Sequence, residues 1–156
     1  MRIGLCAIAK NEVRAIQVML DSVRDVVDGI LVCDTGSTDG TPEIVRSYGG
    51  KVISHPRSDE WSARPESFSF AEARNYALKT CEDEYDWILI LDSDEVLEPS
   101  SAGNLRVWLC AVPEHCTLGM VTISMCRDDG TEYQNFLAER ILRGGRAIRF
   151  RSDMHN

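Results

Sequence analysis

The sequence predicts an α/β fold: a mainly parallel sheet flanked by helices, with antiparallel strands in the C-terminal third. Short apolar runs alternate with helix-period segments over the first 55 residues, a strand–helix–strand–helix–strand order that right-handed crossovers fold into a parallel sheet. Further on, TLGMVTISMC (117–126) and EYQNFLAERIL (132–142) flank RDDGT, whose Asp-Gly pair is hairpin-turn chemistry. The 156 residues suit one domain with a full-sized core, and neither repeats nor a low-complexity linker divide them.

RIGLCAIA (2–9) is an apolar strand closed by Lys10 and Asn11. Residues 12–27 place Val13, Ile16, Met19, Leu20, Val23 and Val27 at helical spacing, so an amphipathic helix follows. Gly29 breaks it, and ILVCD (30–34) is the second strand. TGSTDGTPEIVRSY turns into a helix with Ser37 or Thr38 as its cap, Pro42 in its first turn and Glu43 nearby. Gly49-Gly50 ends that helix, and KVISH (51–55) is the third strand. The polar stretch 56–69 (PRSDEWSARPESFS), with two prolines, reads as a long loop of the kind that is often functional. FAEARNYALKTC (70–81) is a helix, DWILILD (86–92) the fourth strand, and PSSAGNLRVWLCAV (99–112) a helix that opens on Pro99. AIRF (147–150) reads as a last short strand.

A formal net charge of −8 argues against a dedicated nucleic-acid binder, whose affinity rests on clustered Lys and Arg. The charge is uneven, however: residues 82–95 are strongly acidic, while 140–151 (RILRGGRAIRFR) carry arginine at nearly every third position. Such runs are commonly two solvated faces; the alternative is an acidic metal site opposite a basic strip able to neutralise a phosphate. No run of about 18 apolar residues predicts a transmembrane helix. The opening MRIGLCAIAKNE turns polar too soon for a signal peptide, so the expected location is cytoplasmic. Of six cysteines, Cys6 and Cys33 sit in strand-like runs; Cys110, Cys116 and Cys126 with His115 match no standard zinc spacing, and reduced thiols are expected.

Three expected strands end in chemically suggestive residues: AKNE, DTGSTDGT and DSDE. In open α/β sheets ligands bind at the carboxyl ends of the strands, so together these ends predict a crevice. Asp92 and Asp94, two apart at an extended strand end, are expected to point the same way, and a hard divalent cation would relieve their repulsion. Mg²⁺ and Mn²⁺ take one or two protein carboxylates and complete their shell with phosphates and water, which makes a diphosphate the natural second ligand. GSTDGT matches neither GxGxxG nor GxxxxGK[ST]. LILDSDEVL also fits the opening motif of haloacid-dehalogenase-type phosphatases, with Asp92 as nucleophile, but that motif needs a downstream lysine and the last one here is Lys79.

In order along the chain, AIAKNE, VCDTGSTDGT, FAEARNYAL, WILILDSDEVL and ERILRGGRAIRFRSDMHN resemble the motifs of the inverting family 2 glycosyltransferases. The resemblance implies a single Rossmann-like GT-A domain over 1–156, with residues 1–98 the nucleotide-sugar-binding half and 99–156 an acceptor and metal half that is short for the family. It further implies Mn²⁺ or Mg²⁺ as cofactor. Donor and acceptor would be a nucleotide-diphosphate sugar, a UDP-sugar foremost, and a hydroxyl on a glycan, lipid-linked glycan or protein.

Ala9, Asn11, Glu12, Asp34, Thr35, Arg74, Asp92 and Ser93 would line the donor site, with Asp92, Asp94 and His155 as metal ligands. Many relatives carry a second Asp where Thr35 stands, which leaves the base open. The catalytic base would come from the segment after DSDE: Asp128, Asp129, Glu132, Glu139 or Asp153, with Glu139 favoured because it precedes the Arg-rich stretch. Relatives usually continue past the histidine, so a minimal enzyme, a truncated chain, a homo-oligomer that completes its acceptor site and a non-catalytic nucleotide-sugar-binding module stay open.

Overall fold

The computed structural model describes residues 1–126 and 131–151. Asp128, Asp129, Asp153, His155 and most of the expected hairpin turn lie outside the described residues. Six strands, β1 (Ile3–Ala9), β2 (Gly29–Asp34), β3 (Lys51–Ser54), β4 (Trp87–Ile90), β5 (Leu118–Cys126) and β6 (Glu132–Arg143), form one sheet in the order β3-β2-β1-β4-β6-β5. The first four are parallel; β6 runs antiparallel to β4 and β5 antiparallel to β6. This is the fold class expected from the sequence.

Five helices, α1 (Ala15–Val23), α2 (Thr41–Ser47), α3 (Ser58–Ala63), α4 (Phe70–Cys81) and α5 (Pro99–Ala111), cover the two faces. Strands β1 and β4 are buried along their whole length, which is why they read as unbroken apolar runs. Alternate residues of β1 serve opposite cores. Leu5 and Ala7 pack with Ile16, Met19 and Leu20 of α1 and with Leu105 and Leu109 of α5. Cys6 and Ile8 pack on the other face with Ala73, Ala77, Leu78 and Cys81 of α4.

Several expectations are corrected. Stretch 56–69 is not a plain loop: it holds α3 and a single 3₁₀ turn, Pro65–Ser67, because Trp61 is buried at 1% exposure and draws its turn onto the second core. AIRF forms no strand. Ile148 and Phe150 pack on the second core, and Phe150 exchanges two backbone bonds of 2.8 Å with the Asn75 amide, so its polar groups are satisfied without a ladder. The α1 helix is shorter than 12–27, and Val13 lies outside it and exposed. Neither Ser37 nor Thr38 caps α2; Gly40 holds that position, and Asp39 accepts from the Thr41 amide at 2.9 Å. By contrast α4 opens on a side-chain N-cap, the Ser69 hydroxyl accepting from the Glu72 amide.

Candidate active site

The parallel strand order reverses between β1 and β4, and the crevice expected at such a switch point is present. A cleft of about 430 Å³ is lined by Ile8, Ala9, Lys10 and Glu12 after β1, by Thr35 after β2, and by Asp92, Ser93 and Asp94 after β4. Trp61, Pro65, Phe68 and Phe70 supply an apolar wall. Six of the sequence-predicted site residues therefore meet here: Ala9, Glu12, Thr35, Asp92, Ser93 and Asp94.

The loops after β1 and β2 are laced together by side chains. Asn11 adopts φ 57°, a left-handed conformation that Asn tolerates, and its Oδ1 accepts from the Thr38 amide at 2.7 Å while its own amide donates to Ser37 Oγ at 2.9 Å. The Asp34 carboxylate accepts from the amides of Gly36 and Ser37, so it holds its own turn. Thr35 donates both its amide and its hydroxyl to the Ala9 carbonyl, tying the ends of β1 and β2 together. The Glu12 backbone amide donates to the buried Thr41 hydroxyl at 2.8 Å, and Glu12 lines the cleft.

The acidic motif is placed differently from a strand end. β4 stops at Ile90, and Asp92–Glu95 form a turn closed by the Glu95 amide donating to the Asp92 carbonyl at 3.0 Å. The expected same-side pairing of Asp92 and Asp94 thus does not rest on strand geometry. Asp92 is divided between two guanidiniums, Oδ1 to Arg74 at 2.5 Å and Oδ2 to Arg140 at 3.3 Å. Asp94 is exposed on the cleft and meets no arginine or lysine among the described residues. Arg74 lies between the rings of Phe70 and Phe150, 5.5 Å from each, and its Nε is buried with no hydrogen-bond partner among the described residues.

Among the described residues no three His, Cys, Asp or Glu side chains cluster into a self-sufficient metal shell. One free carboxylate beside an arginine-clamped one instead fits a cation that shares its shell with a ligand's phosphates and water. Glu139 lies exposed on β6 and outside the cleft lining.

Two arginines of the basic strip are spent on the acidic stretch itself. Arg140 pairs with Asp92 and Glu95, and Arg149 takes both oxygens of Glu82, whose carboxyl that bond lowers. Arg143 donates to the carbonyls of Val112, Pro113 and Cys116 and covers Trp87. Sequence reasoning missed Arg140 and Glu95 as site residues, and also Lys10 and the wall of Trp61, Pro65, Phe68 and Phe70. Trp61 and Phe68 inside an otherwise polar segment were the signals for that wall.

His55 supports the wall from behind. Its ring stacks on Trp61 at 4.1 Å, and its Nδ1 accepts from the Arg57 amide. Burial lowers its pKa, the charge of Glu72 opposing and that of Arg57 adding. The unfolded chain takes up the imidazole proton near pH 6.5 while the folded chain resists it, so stability is full above that pH and is lost as pH falls through it. Urea unfolding between pH 7.5 and 5.5 is expected to show a falling midpoint that His55→Phe flattens; an unchanged slope in the variant would place the effect elsewhere.

The fold defines an α/β protein with a cleft at the switch point of its sheet. The family model for glycosyl transferase family 2 matches residues 5–155, and the chain belongs to that family. A TPR repeat-containing protein of Synechococcus elongatus is 38% identical over 105 residues, covering 67% of this chain and 23% of that protein. An uncharacterized glycosyltransferase of Rickettsia bellii is 36% identical over 96 residues, 62% of this chain and 29% of that protein. The chain thus spans only about a quarter of the length of these curated relatives.

Glucosyl-3-phosphoglycerate synthase of Mycobacterium tuberculosis, solved with UDP, superimposes with a TM-score of 0.55 at 27% identity over 75% of this chain and 42% of its own. TarS of S. aureus does so at 0.56 and 22%, over 70% of this chain and 32% of its own, a likeness of fold. No described helix is long and apolar enough to cross a membrane.

Proposed function

We propose that this chain carries the donor site of a metal-dependent, inverting glycosyltransferase that moves a sugar from a UDP-sugar to a hydroxyl acceptor. The observation that carries the reading is the meeting of Glu12, Thr35, Asp92, Ser93 and the unshared Asp94 carboxylate in one cleft at the switch point. Supporting it, the M. tuberculosis synthase has been solved with Mn²⁺, UDP and phosphoglyceric acid, and with Mn²⁺ and UDP-glucose.

In this reading the apolar wall of Trp61, Phe68 and Phe70 receives the nucleoside, and Lys10 and Arg74 stand near its diphosphate. Asp94, with Asp92 behind it and His155 as a further candidate, holds Mn²⁺ or Mg²⁺, which when bound neutralises charge on the departing diphosphate. Glu139 is the proposed base that takes the acceptor proton.

A thermal-shift panel of UDP-, GDP-, dTDP- and CDP-sugars, with and without Mn²⁺, tests the reading. A UDP-sugar at about a hundredfold its Kd should stabilise by roughly 2.7 kcal/mol, and only with metal present. No shift with any of the four would sink the proposal.

A further inference from the structure

Strand β6 carries one residue more than its partner at two places, against Gly119/Met120 and against Met125/Cys126; at the first, Gly119 pairs with Ile141 and Met120 with Glu139, so Arg140 is bulged out of the ladder. Bulges re-aim a side chain and recur beside functional sites. Arg140 reaches the acidic turn, where Nε and Nη2 meet the two oxygens of Glu95 at 3.1 and 2.7 Å and Nη2 also meets Asp92. Glu95 Oε2 in turn accepts from the Asp92 amide at 2.9 Å, so one carboxylate binds both ends of its own turn to β6. The guanidinium is 13% exposed and Glu95 15%, which sets this pair apart from a solvated surface bridge. Burial works against the charge on Arg140, yet the bond to Glu95 and the charges of Glu95, Asp92 and Glu139 raise its pKa further.

We infer that Arg140 and Glu95 form a clasp that positions the Asp92–Glu95 turn. Resting on the nucleotide-sugar reading above, the clasp presents Asp94 to the cation and diphosphate as the one carboxylate of the turn without an arginine or lysine partner among the described residues. Arg74 and Arg140 balance Asp92 and Glu95, two charges against two, so the negative charge left at the turn is that of Asp94. Neither clasp residue touches the ligand; both act through the turn. Such supporting contacts typically change metal affinity by roughly 10–100-fold when removed.

Arg140→Ala, Glu95→Gln and the double variant test the inference by two separate readouts. In the free protein, amide hydrogen exchange at residues 92–96 should rise in each variant while that of β1 and β2 stays unchanged. Unchanged exchange at the turn, or a rise spread over the whole sheet, would overturn the clasp. Calorimetric titration of UDP with Mn²⁺ should show affinity about tenfold or more weaker in each single variant, with the double variant no worse than the worse single, as a shared contact requires. Variants that bind like wild type, or losses that multiply in the double variant, would overturn the positioning role. A wild-type protein that binds no UDP with Mn²⁺ would overturn the nucleotide-sugar reading and the ligand half of this inference, while the exchange result still decides the clasp.

Discussion

Replacing Asp94 by Asn is expected to lower Mn²⁺-dependent UDP binding and donor turnover by roughly 100-fold or more, the scale of losing one aimed charge from a reaction site. Asn keeps the shape and removes only the charge. Because Asp94 is exposed and bears no ion pair among the described residues, the melting temperature should barely move. Asp92→Asn should behave differently. It leaves the Arg74 guanidinium without its carboxylate in a partly buried place and takes one of the two carboxylates from Arg140, which keeps Glu95, so stability falls along with binding. Urea titration and calorimetry on both variants separate the two roles. If Asp94→Asn bound UDP with Mn²⁺ as wild type does, the metal assignment would be wrong.

Gly144→Ala is expected to be among the most destabilising single substitutions in the chain, by about 3 kcal/mol or more. A Cβ there would stand 1.8 Å from the Tyr85 carbonyl oxygen and 2.9 Å from that of Glu82. Those are backbone atoms, and the segment is bonded in place: the Gly144 amide donates to Asp86 and the Gly145 amide to Glu82, both at 2.9 Å. No rotamer change relieves the overlap. The site should suffer too, since this strap docks the end of β6, and β6 carries Arg140 to Asp92. Gly103→Ala is the matched control. It sits inside α5 with nothing near its would-be Cβ, so it should stabilise by roughly 0.5–1 kcal/mol. Equal midpoints for the two variants in urea would refute the packing argument.

The central strands were legible because burial on both faces leaves no polar alternation to mislead: LCAIA, ILVC and WILI are what a parallel core strand must be. Helix α4 was legible to its last residue, since twelve residues give the helical period room to show. Helix α3 was not. Six residues hold fewer than two turns, and what orders them is Trp61 stacked on His55 and met edge-on by Phe68, partners outside the helix itself. The AIRF stretch misled in the opposite direction, its apolar residues finding the core and its backbone finding a side-chain amide instead of a neighbouring strand.

Local chemistry alone thus determined the parallel α/β class, the family resemblance and the two aspartates, because side-chain period, turn residues and carboxylate spacing are properties of adjacent positions. Only the tertiary structure decided which aspartate is free. That choice depends on a bulge that brings Arg140 onto Asp92 across 48 residues of chain, and on Arg74 arriving from α4 on the other side. Charge pairing falls off with distance in space, and the order of residues along a chain does not contain that distance.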